Sequence, residues 1–211
     1  MKSDDLLLYG VTDRRGLGGL SLTEAVRQSL DGGVTFVQLR EKHLGREEFV
    51  AEALALKALC AEYGVPFVIN DDVELAAEVD ADGVHVGQSD MAAEDVRARI
   101  GEGKILGVSA QTVEQAVAAE KCGADYLGVG AVFPTGSKDD AEDVSYDTLR
   151  DICNAVSIPV IAIGGITAAN AAKLSGSGIC GVAVISAIYC ADDIAKAART
   201  MRAAVEEAVK S

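Results

Sequence analysis

Hydrophobic and polar positions follow two alternating patterns from one end of the chain to the other. Short runs dense in β-branched and aliphatic residues recur at LLLYGVT (6–12), TFVQLR (35–40), PFVIN (66–70), GVHV (83–86), ILGVSA (105–110), YLGVGAVF (126–133), PVIAIG (159–164) and GVAVIS (181–186). Between them lie amphipathic or alanine-rich stretches near 22–32, 46–63, 73–79, 92–100, 112–122, 145–155, 167–175 and 191–209. Near-continuous apolar strands separated by helices call for a parallel sheet covered by those helices. Eight such pairs in 211 residues predict closure into an α/β (β/α)8 TIM barrel, one domain over 1–211. Ser21-Leu-Thr-Glu24 reads as a capping box, and Thr167 and Asp192 as helix N-caps. The glycine-rich RGLGGL (15–20) has no phosphate-loop spacing and reads as a turn into the first helix.

Composition narrows the class. Apolar residues make up 49% and charged residues 25%, as in soluble globular proteins, and no apolar run reaches the roughly 20 residues a membrane span needs. The opening MKSDDLLLYG is too acidic, and its apolar stretch too short, for a secretory signal, so a cytoplasmic location is expected. Five scattered cysteines without a C-x-x-C pair read as reduced packing residues. A net charge of -14 argues against nucleic acid or an anionic membrane surface as partner. A phosphorylated small molecule is still admissible where cations are gathered locally; oligomeric state is left open.

In a barrel of this kind, function sits on the loops that follow the strands. Those ends give Thr12 and Asp13; Gln38, Arg40 and Lys42; Asn70 and Asp71; Gln88 and Asp90; Ser109; Thr135, Ser137 and Lys138; Gly164 and Gly165; and Ser186. In FVQLREK the period of two puts Gln38, Arg40 and Lys42 on one face, toward the barrel mouth, with Val37 and Leu39 toward the helices. Cations there need an anion or an internal salt bridge, for which Asp71 and Glu41 are the candidates. Asp71 and Asp90 suit Mg²⁺, whose ligands are carboxylate, phosphate and water oxygens, or alternatively cap the helices that follow. His85 reads as a satisfied interior histidine rather than a proton-transfer group. Gly164-Gly165 and Ser186 match the phosphate site that such barrels build after strands seven and eight, pointing to a phosphomonoester; close helix packing is the alternative for the glycine pair.

Together YGVTD (9–13), QLREK (38–42), IND (69–71), DGVHVGQSD (82–90), GVSA (107–110), VFPTGSK (132–138), IGGIT (163–167) and VIS (184–186) resemble the thiamine phosphate synthase family in order and spacing. Ala131 stands where that family frequently has proline, and Ser137 where it frequently has threonine. The resemblance implies a (β/α)8 barrel that joins (4-amino-2-methyl-5-pyrimidinyl)methyl diphosphate to a thiazole phosphate, releasing pyrophosphate by a dissociative substitution. It implies a pyrimidine diphosphate site of Gln38, Leu39, Arg40, Glu41, Lys42, Asn70, Ser109 and Lys138, with Arg40, Lys42, Lys138 and Ser109 catalytic. It further implies a thiazole phosphate site of Thr135, Gly136, Ser137, Gly165, Ile185 and Ser186, and Mg²⁺ on Asp71 and Asp90. In that picture the loop from Thr135 to Lys138 bridges the two substrates. A related thiazole tautomerase is the rival enzyme and has no evident need for QLREK, both aspartates and Lys138 together; a non-catalytic phosphate-binding barrel is the rival outside catalysis and would bind phosphate tightly without Mg²⁺-dependent turnover.

Overall fold

The computed structural model describes residues 2–135 and 143–210. Among these, eight parallel strands close into a barrel in sequence order, with the first pairing the last. They are β1 (Leu8–Val11), β2 (Phe36–Leu39), β3 (Phe67–Asn70), β4 (Gly83–Val86), β5 (Ile105–Ala110), β6 (Tyr126–Val129), β7 (Val160–Ile163) and β8 (Gly181–Val184). Each falls inside the apolar run that predicts it. The helices are α1 (Leu22–Asp31), α2 (Arg46–Tyr63), α3 (Val73–Glu78), α4 (Ala93–Ile100), α5 (Val113–Lys121), α6 (Tyr146–Ala155), α7 (Ser186–Tyr189) and α8 (Ile194–Val209).

The period of two divides the apolar residues into two bodies. Leu8, Val37, Leu39, Ile69, Val84, Leu106, Leu127 and Val182 face outward and pack with the helices. Tyr9, Val11, Phe36, Val68, Tyr126, Ile161 and Ala183 face inward and fill the barrel. The interior is therefore solid below and open only at the carboxyl ends of the strands. Tyr9, Phe36 and Tyr126 form its aromatic layer, with ring centroids 4.5–5.9 Å apart.

Local chemistry fixes where helices begin. Ser21 and Glu24 form the expected capping box, with Ser21 Oγ accepting from Glu24 N at 3.2 Å and Glu24 accepting from Ser21 N at 3.0 Å. Two other expected caps are corrected. Asp193, not Asp192, caps α8, accepting from Lys196 N at 2.9 Å. The stretch 167–175 is not an α-helix but a turn leading to a 3-10 segment, Ala171–Leu174, whose N-cap is Asn170 rather than Thr167. The Asn170 side chain accepts from Thr167 N and donates to Gly165 O, reinforcing a turn in which Asn170 N and Ala171 N both donate to Thr167 O. All five cysteines are free, as expected.

Candidate active site

One cavity of about 690 Å³ opens at the carboxyl ends of the strands. Gln38, Arg40 and Lys42 line it from the second strand, Asn70 and Asp71 from the third, and Asp90 from the loop after the fourth. Ser109 enters from β5, Thr135 from beyond β6, and Gly164, Gly165, Ile185 and Ser186 from the ends of β7 and β8. Residues scattered over the whole sequence thus meet around a single volume. Gly136, Ser137 and Lys138 lie outside the described residues.

The second strand delivers its comb as alternation requires. Gln38 is buried, Arg40 half-buried and Lys42 exposed, a gradient from barrel interior to mouth. Leu39 and Glu41 do not line the cavity: Leu39 is buried toward the helices, and the Glu41 carboxylate pairs with Arg14, which also pairs with Glu52. Arg40 forms no ion pair among the described residues, which disposes of the internal salt bridge to Asp71 or Glu41. Its Nε is instead a buried side-chain nitrogen without a hydrogen-bond partner. Burying an unpaired guanidinium nitrogen is costly, and an anion in the cavity would remove that cost. The main chain beneath it is held by Thr12, whose Oγ1 accepts from Arg40 N at 2.9 Å. Asp13, the other polar group at the end of β1, is committed to Arg15, with a shortest approach of 2.6 Å. Burial works to raise the Asp13 carboxyl, but the hydrogen bonds and charge of Arg15 outweigh it and hold the group below the usual range.

Neither aspartate of the metal hypothesis is consumed as a helix cap. Asp72, the next residue, caps α3 by accepting from Leu75 N at 2.7 Å, while Asp71 sits in the left-handed region at φ 64°. A non-glycine residue there is uncommon and costs of the order of 1–3 kcal/mol, a strain that clusters at functional sites. The Asp71 carboxylate accepts from Asn70 Nδ2 at 2.5 Å. Residue Ala92, not Asp90, occupies the N-cap of α4; Asp90 Oδ2 accepts from Gly87 N at 2.7 Å, steadying the loop. Two hard carboxylates on neighbouring loops of one cavity fit a Mg²⁺ ion completed by substrate and water oxygens. No group of three or more potential ligands occurs among the described residues, so the substrate would have to supply the rest.

On the opposite rim the polar atoms belong to the backbone. Gly164 and Gly165 have φ of 100° and 63°, and a Cβ on Gly165 would lie 2.5 Å from Pro134 O and 2.7 Å from Phe133 O. The pair is there for the backbone conformation and for the close approach of the loop after β6, rather than for packing of a helix, since no helix follows directly. The short α7 starts at Ser186, immediately after β8, and its first N–H groups have no intrahelical acceptor. Sequence patterns alone did not disclose this four-residue helix.

His85 is interior and satisfied as expected, with Nδ1 2.9 Å from Tyr126 Oη and Nε2 3.0 Å from Ser109 Oγ. Tyr9 and Gln111 also line the cavity and were not anticipated. Period-two reading of β1 would have turned Tyr9 inward with Val11; Gln111, one residue past β5, carried no signal.

A parallel eight-stranded barrel whose mouth joins a cation comb, two carboxylates and a glycine-bearing rim is an enzyme-class scaffold for phosphorylated ligands. The family model described as thiamine monophosphate synthase matches residues 8–188, and the chain belongs to that family. Its relatives include the thiamine-phosphate synthase of Ruminiclostridium cellulolyticum, 51% identical over 95% of this chain and 96% of that one. The thiamine-phosphate synthase of Clostridium tetani is 50% identical over 93% of this chain and 94% of the relative. Among solved structures, the thiamine phosphate pyrophosphorylase from Pyrococcus furiosus superposes with a TM-score of 0.90 at 42% identity, covering 98% of each chain. Among the described residues no helix is long and apolar enough to cross a membrane.

Proposed function

We propose that the protein is a single-domain cytoplasmic enzyme that joins (4-amino-2-methyl-5-pyrimidinyl)methyl diphosphate to a thiazole phosphate, giving thiamine phosphate and pyrophosphate. Family membership and the relatives' names support the reaction. The observation that carries the site assignment is the meeting in one cavity of Arg40, with its unpartnered Nε, two uncapping aspartates and the Gly165–Ser186 rim. A sensor or isomerase for one phosphate has no use for both halves.

The diphosphate binds along Gln38, Arg40, Lys42, Asn70 and Ser109, and the family resemblance adds Lys138 to that set. The bond between the pyrimidine methylene carbon and the diphosphate oxygen breaks, and its electron pair leaves with pyrophosphate. The thiazole nitrogen then gives its lone pair to that carbon. Negative charge accumulates on the leaving oxygen as the bond lengthens, so cations fixed there favour the transition state over the ground state. A charge pair at 4 Å gains about 1 kcal/mol in bulk water but roughly 4 kcal/mol near a protein surface, so the half-burial of Arg40 matters. Asp71 and Asp90 hold Mg²⁺, which when bound neutralises diphosphate charge. Thr135, Ser137, Gly165, Ile185 and Ser186 fix the thiazole phosphate, chiefly by backbone N–H groups, so that the nitrogen faces the carbon. No side-chain nucleophile takes part. The partners are small phosphorylated molecules, not nucleic acid or membrane; the net charge of -14 and the cations gathered at the cavity support this.

Incubation with both substrates and Mg²⁺ should yield thiamine phosphate and pyrophosphate in equal amounts. Binding of the thiazole phosphate without any product would instead leave a binding module.

A further inference from the structure

Across the cavity floor, five side chains from five strands join end to end, four of them (Tyr9, Gln38, His85 and Ser109) lining the cavity. Gln38 Nε2 on β2 donates to Tyr9 Oη on β1 at 2.7 Å, and Tyr9 Oη meets Tyr126 Oη on β6 at 2.8 Å. The row continues from Tyr126 to His85 Nδ1 on β4 at 2.9 Å, and from His85 Nε2 to Ser109 Oγ on β5 at 3.0 Å. Both ends of the row, Gln38 and Ser109, face the cavity. The barrel makes room for it. A Cβ on Gly107 would fall 2.2 Å from Tyr126 Oη and 2.5 Å from His85 Nδ1, and one on Gly128 would fall 3.1 Å from His85 Cε1. Two strands thus forgo a side chain where the phenol and the imidazole pass.

Such a row has a direction. Burial pushes both phenols well above the ordinary tyrosine range, so each keeps a single proton and has one to donate. The Gln38 amide nitrogen only donates, so Tyr9 accepts from it and passes its own proton toward Tyr126. Tyr126 must then donate to His85 Nδ1, which accepts and is bare. With Nδ1 accepting, the ring proton lies on Nε2, which donates to Ser109 Oγ and leaves the Ser109 hydroxyl to donate into the cavity. A half-turn of the Gln38 amide would reverse every bond, put the imidazole proton on Nδ1, and turn Ser109 into a donor toward the ring and an acceptor toward the cavity.

We propose that Tyr9, Tyr126 and His85 are positioning residues that couple the amide orientation of Gln38 to the hydroxyl orientation of Ser109. The site then presents an acceptor oxygen at one end and a hydroxyl donor at the other. This deepens the pyrimidine diphosphate reading and rests on it, because a donor at Ser109 suits an oxygen-rich leaving group. The row is two-state, and its favoured polarity is set before substrate arrives.

The test begins with ¹⁵N shifts of histidine-labelled protein, in which His85 is distinguished from the second histidine, His43, by the exposed His43→Gln variant. His85 should carry its proton on Nε2 at neutral pH; a proton on Nδ1, or on both nitrogens, overturns the proposal. Two variants separate coupling from mere packing. Tyr126→Phe cuts the row beside the imidazole, so the Nδ1–H tautomer should become populated and kcat should fall about tenfold, with the KM for thiazole phosphate unchanged. Tyr9→Phe keeps the same aromatic layer and cuts the row one link nearer Gln38, so there too the Nδ1–H tautomer should become populated. An unchanged tautomer in either variant, or an unchanged kcat in Tyr126→Phe, overturns the coupling. The shifts are read without substrate. Absence of pyrophosphate release would therefore refute the proposed reaction and leave the row standing, while a proton on Nδ1 would do the reverse.

Discussion

At the end of β2 the chain offers charged side chains, Arg40 and Lys42, whereas at the ends of β7 and β8 it offers Gly165, Ile185 and Ser186. The first rim is made by alternation: Thr12 pins the main chain, and the side chains climb from the interior toward solvent. The second rim is made by backbone conformation, through positive φ at Gly164 and Gly165 and a helix that starts at once after β8. The difference matches two tasks in the proposed reaction. Full cationic charge is useful where negative charge grows during bond breaking. Neutral N–H donors are enough for a phosphate that only anchors its substrate and must later be released.

The largest effect should come from the charged rim. Arg40→Ala is expected to lower kcat by about a hundredfold or more, the scale seen when one donor to a developing anion is removed. Its thermal stability should hold or rise, since the lost guanidinium has a buried nitrogen without a partner. Steady-state pyrophosphate release and a melting curve check both. Next, Asp71→Asn should raise the Mg²⁺ concentration for half-maximal activity at least about tenfold, on the scale by which altered metal sites lose affinity. A Mg²⁺ titration of the rate reads this directly, and an unchanged midpoint would remove Asp71 from the metal site.

The backbone rim should answer more mildly. Gly165→Ala places a methyl 2.5 Å from Pro134 O at a φ of 63°. The strain, of the order of 1–3 kcal/mol, should displace the loop after β6 and raise the KM for thiazole phosphate about fivefold to tenfold. The smallest effect is expected of Ser186→Ala, a rise of about two- to fivefold in the same KM, because the main-chain donors survive the loss of one hydroxyl. A larger loss there than in Gly165→Ala would mean that the rim works through side chains after all.

The two rims were unequally legible in the sequence. Strand periodicity survives any tertiary detail, so the facing of Gln38, Arg40 and Lys42, and with it the barrel itself, follows from apolar runs and their spacing. The glycine pair announced a special backbone but not its purpose, which depends on Phe133 and Pro134 arriving from another strand. The short α7 has too few residues to display a helical period, and the turn and 3-10 segment around Asn170 have helix-like local bonding that a sequence pattern does not distinguish from an α-helix. Asp71 could not be told from a cap until Asp72 was seen to take that role. The buried row through Tyr9, Tyr126 and His85 depends on register among strands far apart in sequence, which no local pattern encodes.

Initial rates of pyrophosphate release, taken across both substrate concentrations at saturating Mg²⁺ for the unaltered chain, Arg40→Ala and Ser186→Ala, bear most directly on the account. The expected result is Mg²⁺-dependent release by the unaltered chain, with Arg40→Ala losing kcat at constant thiazole phosphate KM and Ser186→Ala losing only in that KM. Unchanged kcat in Arg40→Ala, or no Mg²⁺-dependent release from the unaltered chain, would contradict it.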